Sequence, residues 1–600
     1  MCGIAGILRY GESLETPIAS DLAAVRRMTA QMVARGPDGG GVWHSSDGRV
    51  VLGHRRLSII DLTSAGAQPM VDPATGNVIV YNGEIYNYRE LREELEQSGM
   101  HFFSQSDTEV LLHLYTRYGE KMVDRLVGMF AFALWDSRKA KLFLARDPFG
   151  IKPLYYADDG RKLCFASQVK ALIAGGVLPT MSAAGMAGFF LWGHVPEPWT
   201  WVQDIRALPA GHTLTVECGK PMPTTRKYFD LRETIIGAEQ SSSPVSDPIA
   251  KAAAAVEQSV LRHLVADVPV GVFLSAGRDS TLIAALAARH LGKALRSVTL
   301  GFDEYRGTVS DEAPVAERVA AKLSARHATQ RVKCETFMEE LDFIFQAMDQ
   351  PSIDGVNTWF VAKAARDAGL KVALSGLGGD EIFGGYSSFT QVPQLVQRMR
   401  LFARMPAAGR VLRLAFSPLI RLITNPKWAS LLEYGGTLSG AWLLRRALFL
   451  PWELADVMPP EVARKGIEEL DVEADLHDRI AGIRNPQLAV MALEMSGYMK
   501  NQLLRDADWA GMAHSLEIRV PLVDKQLLCC WLPVAAHHFP LDRQQLLVAV
   551  DGGIADIVGD RCKSGFSVPV AQWTSLGHPS SRRQGLRPWA KRVARAFGAW

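Results

Sequence analysis

A cysteine directly after the initiator methionine is the first residue of this 600-residue chain whose position suggests chemistry. Removal of Met1 would leave a thiol and a free α-amine together on Cys2. An α-amine ordinarily titrates at about 7.7–8.0. It can therefore act as the base for its own side chain and activate the thiol as a nucleophile. The competing reading is a buried cysteine in a first strand. Later segments each set polar groups at the end of an apolar run, where a small polar substrate can be held. They are RGPDGGG (35–41), LGHRRLSIIDL (52–62), QPM (68–70), YNGEIYN (81–87), SDTE (106–109) and ARDPFGIKPLYY (145–156). Asn82 and Gly83 offer a side-chain amide and a backbone N–H, the donors an oxyanion requires. Arg56 offers a planar fork to a carboxylate, and Asp107 a partner to an ammonium.

A second set of chemically suggestive residues lies far downstream. The turn Ser275-Ala276-Gly277-Arg278-Asp279-Ser280-Thr281 joins the apolar run VPVGVFL to an alanine-rich segment. Small residues let backbone amides approach a phosphate, and a helix start favours negative charge. Asp279 is placed to hold Mg2+ beside such phosphates. No G-x-x-x-x-G-K-[ST] pattern occurs, so this is not a Walker A loop. A plain Gly/Ser turn with a capping serine is the competing reading. The run KVALSG leads into a second glycine-rich turn, Ser375 to Glu381, followed by Ile382-Phe383-Gly384-Gly385-Tyr386. LLRDADWAGMAHSLEIRVPLVD (503–524) and CKSGFSVP (562–569) follow.

Taken together, the motifs of the first 160 residues resemble the glutaminase domain of class II amidotransferases, the N-terminal-nucleophile hydrolases. Those of about 250–575 resemble the ATP-pyrophosphatase domain of asparagine synthetases. The resemblance implies an αββα sandwich followed by an α/β domain with a parallel sheet and a helical extension. It implies Cys2 as nucleophile, Asn82 and Gly83 as oxyanion hole, and a glutamine pocket of Arg56, Ile60, Asn82, Gly83, Glu84 and Asp107. It implies pyrophosphate and Mg2+ at Ser275, Gly277, Asp279 and Ser280, with Asp380 as a second metal-side residue. Phe273 and Leu300 would contact the adenosine end, with Ser375 and Gly376 near the nucleotide. Lys563 would stabilise charge during adenylation. Asp508, Glu517 and Arg519 fall within the match, either as site residues or as buried ion pairs. The implied substrates are glutamine, ATP and aspartate, giving asparagine, AMP and pyrophosphate. Three positions depart from the commonest family pattern: Ala276, Arg278 and Leu377. Leu377 replaces a Glu that faces the acyl-adenylate, and leucine cannot take a proton or bind an ammonium. Relatives carrying S-G-L-G-G-D include amidotransferases of sugars or peptides, so another carboxylate is the alternative acceptor.

The elements that must position these residues follow from periodicity. The first 160 residues read as short strands broken by Gly and Asn/Asp turns, favouring an antiparallel layered domain. Helices are expected over Asn87–Ser98 and through TEVLLHLYTRYG, with Thr108 as N-cap. Residues 166–248 read as a loose connecting segment, with SSSPVSDP as a linker. From 249 strands alternate with helices, which argues for a parallel sheet with ligands at the strand C-termini. Residues 390–520 read as helical, and 576–600 as a basic tail.

The bulk numbers agree with an ordinary globular chain of more than one domain: 48% hydrophobic, 22% charged, net charge +3. Near balance gives no footprint for a nucleic-acid partner. Seven scattered cysteines without C-x-x-C spacing argue against a disulfide framework or zinc site and for a reducing compartment. The start is no signal peptide, and the most apolar stretch, 181–192, is too short to span a membrane. The expectation is a cytoplasmic protein; a homodimer is an open arrangement.

Overall fold

The computed structural model describes residues 2–11, 18–220, 223–241, 244–400, 409–411, 413–414, 426–559, 569, 573 and 586–599. Two six-stranded sheets form the first half. One contains the strands Gly3–Arg9, Val50–Arg56 and Lys162–Ala166; the other contains Val78–Ile85, Gly128–Asp136 and Lys141–Arg146. All named pairings within them are antiparallel. Side chains alternate between faces along each strand. Ile4, Leu8, Val50 and Leu52 therefore pack against Val78, Val80, Leu142 and Leu144 between the sheets. The opposite faces carry helices. Ala5, Ile7 and Val51 meet Val25 and Met28 of the helix Ile18–Gln31. Tyr81, Phe130 and Phe132 meet Leu91, Val110 and Leu114 of the helices Tyr88–Gln97 and Asp107–Tyr118. The result is the expected αββα sandwich.

Residues 166–248 are more ordered than their composition suggests. Arg206–Ala207 extends the first sheet, while His212–Glu217 and Thr224–Lys227 extend the second. Their short length and frequent Thr and Gly hid them from a periodicity reading. The apolar 181–192 stretch forms the buried helix Ala183–Trp192. No helix among the described residues is long and apolar enough to cross a membrane. The N-cap of the helix at 107 is Ser106 rather than Thr108. Its hydroxyl accepts from Thr108 N–H, which places Asp107 in the first turn.

The second half is built on a five-stranded parallel sheet. Its spatial order is Arg326–Val332, Arg296–Phe302, Val270–Phe273, Val372–Leu374, Glu517–Arg519. The strand order reverses at Val270–Phe273 and Val372–Leu374, so the loops after these two strands flank the crevice where open α/β sheets bind ligands. Those loops are Ser275–Ser280 and Ser375–Asp380. The helix Arg278–Leu291 follows the first without a side-chain cap. An eleven-residue π-helix, Glu494–Leu504, brings Tyr498, Gln502 and Leu503 to the same crevice. The helix Arg587–Ala596, part of the expected basic tail, buries Trp589, Ala590, Val593 and Ala594 and pairs Arg587 with Glu453.

Candidate active sites and the contact between them

Cys2 stands just before the strand Gly3–Arg9 of the first sheet and meets Asn82 of the strand Val78–Ile85 in the second. Its backbone N–H donates to Asn82 Oδ1 at 2.9 Å, and its thiol points to the Leu57 carbonyl at 3.9 Å. Asn82 Nδ2 is buried without a protein partner. An orphaned buried donor is costly, and here it lies on the residue that holds Cys2. Gly83 is the next residue of the same strand. A Cβ there would lie 2.2 Å from the Met129 carbonyl, so only glycine fits without shifting the adjoining strand. Burial pushes the Cys2 thiol up, against the pull of the amino terminus.

Among the implied glutamine-pocket residues, Asn82 bonds Cys2 directly. Arg56 donates to the carbonyls of Ile60, Asp61 and Thr63, which fixes its guanidinium in the 57–63 loop. Asp107 accepts from Tyr81 Oη at 2.8 Å and from Ile85 N–H at 3.1 Å. Burial pushes its carboxyl up to about 6. If Asp107 holds the glutamine ammonium, it must be ionised, so glutamine KM should rise as pH falls below 6. At one unit below that value only about a tenth of the group is ionised, which predicts a roughly tenfold KM increase by pH 5. Initial rates of glutamate release across pH 5–8 test this, and a flat KM contradicts it. The same shift costs stability at neutral pH, a cost that fades as pH falls from 6 towards the ordinary carboxylate value.

The synthetase-side residues converge completely among those described. Phe273, Ser275, Gly277, Asp279, Ser280, Leu300, Ser375, Gly376 and Asp380 all line one cavity of about 970 Å³. Ser275 and Ser280 knit the first loop: their hydroxyls are 2.8 Å apart, and Gly277 N–H donates to Ser275 Oγ. The uncapped start of Arg278–Leu291 leaves amide donors for an anion. Asp279 and Asp380 face one point, which suits a hard cation held by two carboxylates plus phosphate oxygens. Arg278, one of the departures, bonds Gln544. Lys563 lies outside the described residues.

Several lining residues were not singled out by sequence. Arg446 stacks over the rings of Tyr386 and Tyr498, 4.6 and 4.2 Å from their centroids, and pairs with Glu494. Trp192, Trp442 and Leu377 line the same cavity. Asp354 and Asp506 also line it. Asp506 accepts from Ser352 Oγ and Trp509 Nε1, and burial with the charge of Asp354 pushes it up to about 8. Tyr386 and Asp506 fall within quoted motifs, after Ser375 and in 503–524; Arg446 carries no local signal.

The two halves meet through buried charges. Arg35, of the RGPDGGG segment, donates through Nε to the Cys2 carbonyl at 3.0 Å. Its other two nitrogens grip Asp508 at 2.7 and 3.0 Å. Arg519, on the last parallel strand, bonds Glu517 at 2.6 Å and reaches Glu84 at 3.4 Å. Burial and the charge of Glu517 push the Glu84 carboxyl well up, whereas Glu517 is held down to about 2 against its own burial. The Arg519 carbonyl accepts from Ser375 N–H at 2.8 Å, so one residue touches both sites. Asp508, Glu517 and Arg519 are thus buried ion pairs, and these pairs form the joint. Arg146 bonds three carbonyls and pairs with Glu197. Lys152 is fully buried, and burial lowers it. A small cavity lined by Arg146, Tyr155, Arg505, Asp508 and Trp509 lies at the joint.

Comparison with known proteins agrees with this division. Residues 1–229 match the glutamine amidotransferase domain family, and residues 251–597 match asparagine synthase. A Bacillus subtilis protein named asparagine synthetase [glutamine-hydrolyzing] 1 is 32% identical over 96% of this chain and 88% of its own. Its paralogue of the same name, numbered 3, is 30% identical over 99% and 90%. A Mycobacterium bovis relative, 34% identical over 96% and 89%, bears the asparagine synthetase name only provisionally.

Proposed function

Because the chain belongs to the asparagine synthetase family, ATP-dependent ligases with glutamine as nitrogen donor, we propose that it releases ammonia from glutamine at Cys2 and uses it to amidate an adenylated carboxylate in the large cavity. One helix carries this reading. Arg505–Ala513 presents Asp508 to Arg35 and hence to Cys2, and Asp506 to the synthetase cavity. A single rigid element of two and a half turns thus links the two chemistries.

The steps follow from the residues. With Met1 removed, the Cys2 amine takes the thiol proton, and the thiolate attacks the glutamine side-chain carbonyl. Asn82 Nδ2 and Gly83 N–H receive the oxyanion, where preorganised donors are worth most. The Cys2 ammonium gives its proton to the amide nitrogen, ammonia leaves, and water hydrolyses the thioester to glutamate and the free thiol. In the cavity the acceptor carboxylate attacks the α-phosphorus of ATP. The pyrophosphate leaves towards the Ser275–Ser280 amides and the start of Arg278–Leu291. Mg2+ between Asp279 and Asp380 would neutralise charge on that leaving group. Ammonia then displaces AMP from the acyl-adenylate. Keeping ammonia inside the joint prevents its protonation and loss to water.

Aspartate is the acceptor to which the relatives' names point, with asparagine, AMP and pyrophosphate as products. A second reading, a larger carboxylate such as a uronic acid, is favoured by one observation. The acceptor end combines Leu377 with Trp192, Trp442, Tyr386 and Tyr498, in a cavity at the top of the usual small-molecule range. Pyrophosphate release with ATP, Mg2+ and glutamine, in parallel with L-aspartate and D-galacturonate, separates the two. Release that depends on neither carboxylate contradicts both.

A further inference from the structure

Arg543 has no role in the steps above, yet it joins the two carboxylates of the proposed pyrophosphate site. Its Nη1 donates to Asp279 Oδ2 at 2.6 Å and to Asp380 Oδ1 at 2.8 Å. One oxygen of each carboxylate therefore faces the same nitrogen. Asp279 belongs to the loop after Val270–Phe273 and Asp380 to the loop after Val372–Leu374, so a residue 163 positions beyond Asp380 joins the two nucleotide loops.

The seat is shaped for this contact. A Cβ on Gly385 would lie 2.1 Å from Asp380 Oδ1 and 2.4 Å from Arg543 Nη2. A Cβ on Gly379 would lie 2.4 Å from Asp279 Cγ. Glycine at both positions lets the carboxylates and the guanidinium close on one another. The backbone of Arg543 is equally fixed. It opens the helix Arg543–Val550, and the capping Asp542 accepts from Gln544 and Gln545 N–H. Gln544 Oε1 in turn accepts from Arg278 Nε at 3.0 Å. Two adjacent residues of one helix start thus grip the pyrophosphate loop.

Two carboxylates aimed at one point repel each other unless a cation lies between them. Mg2+ would use the same oxygen lone pairs, together with phosphate oxygens, at about 2.0–2.1 Å. Arg543 Nη1 stands at the point between the two carboxylates where a shared metal would sit, so guanidinium and metal compete for that place. A guanidinium released from them stands beside the incoming phosphates, for which its planar fork is well matched.

We propose that Arg543 is the resident counter-cation of the nucleotide site: it neutralises Asp279 and Asp380 in the free protein, yields both to Mg2+ when Mg2+–ATP enters, and turns its guanidinium to the β,γ-phosphates. The proposal rests on the ATP reading given above. It makes metal entry conditional on nucleotide, because Mg2+ alone brings no anion to accept the displaced guanidinium.

The test uses the full chain, Mn2+ as the metal probe followed by electron paramagnetic resonance, and calorimetry with Mg2+ and a non-hydrolysable ATP analogue. The wild type should take up Mn2+ only with the analogue present. Arg543→Gln should bind Mn2+ without nucleotide, and bind the Mg2+–analogue about tenfold or more weakly, the loss of one charge-assisted contact. Asp380→Asn added to Arg543→Gln should remove the gained Mn2+ site. Arg543→Lys keeps the charge and guards against a folding failure. It should exclude Mn2+ while losing analogue affinity with the bidentate fork. Arg543→Gln without Mn2+ uptake, or either variant with wild-type analogue affinity, overturns the proposal. A wild type that binds no Mg2+–analogue would overturn the ATP reading itself, a result distinct from failure of the variants.

Discussion

Replacing Cys2 with alanine is expected to abolish glutamine-dependent amidation, by roughly 10⁴- to 10⁶-fold as for other lost nucleophiles, while ammonium-driven amidation continues. The asymmetry follows from geometry. Cys2 contacts Asn82, Leu57 and Arg35, all in the first half of the chain. None of them lines the large cavity. Alanine keeps the backbone N–H that bonds Asn82, so the strand Gly3–Arg9 should stay in place. Glutamate release and pyrophosphate release, measured in parallel with glutamine and with ammonium chloride, check both halves. Retained glutaminase activity would remove Cys2 from the mechanism. Loss of the ammonium-driven reaction would show that the two sites are not separable.

The second large effect lies at the joint. Asp508→Ala should destabilise the protein by about 3–5 kcal/mol, because it leaves the Arg35 charge buried and unpaired. Both side chains are almost fully buried, at 2% and 7% exposure. Thermal unfolding measures this loss. A double variant, Arg35→Met with Asp508→Leu, removes both charges and should recover much of the stability. Glutamine hydrolysis should not recover with it, since the donor to the Cys2 carbonyl is gone. That split distinguishes a positioning role from a purely structural one. Recovery of hydrolysis along with stability would make the pair structural only.

These two predictions draw on residues of very different visibility in sequence. Cys2, Asn82, Gly83 and the two glycine-rich turns could be picked out as candidates because their chemistry is local. A thiol beside an amine, an amide beside a glycine, and small residues between strand and helix each carry their meaning within a few positions. Strand alternation likewise placed the sandwich and the parallel sheet. What sequence hid was every partnership across the chain. Arg35 and Asp508 are 473 positions apart, Arg543 and Asp279 264, and Arg519 meets Glu84 only because its strand ends the parallel sheet. A lone buried charge signals a missing partner but not its address. The short strands within 166–248 escape a periodicity reading for another reason. They are two to six residues long, too short for alternation to register, and they are ordered by the sheets they join. At position 106 the serine hydroxyl outcompeted Thr108 because it stands one residue before the helix begins.

Leu377 illustrates where spacing and packing part. The Ser375–Asp380 loop keeps its place at the switch point, and Ser375 still bonds the Arg519 carbonyl. Leu377 lines the large cavity, so the departure alters that wall while the backbone bond to Arg519 is kept.

The central claim is that ammonia made at Cys2 is consumed in the large cavity without leaving the protein. Glutamine labelled with ¹⁵N in its side-chain amide, supplied with ATP, Mg2+, the accepted carboxylate and excess unlabelled ammonium, tests it directly. Mass spectrometry of the product amide should find it predominantly ¹⁵N. A product carrying mainly unlabelled nitrogen would contradict the account, because the two sites would then exchange ammonia through solvent.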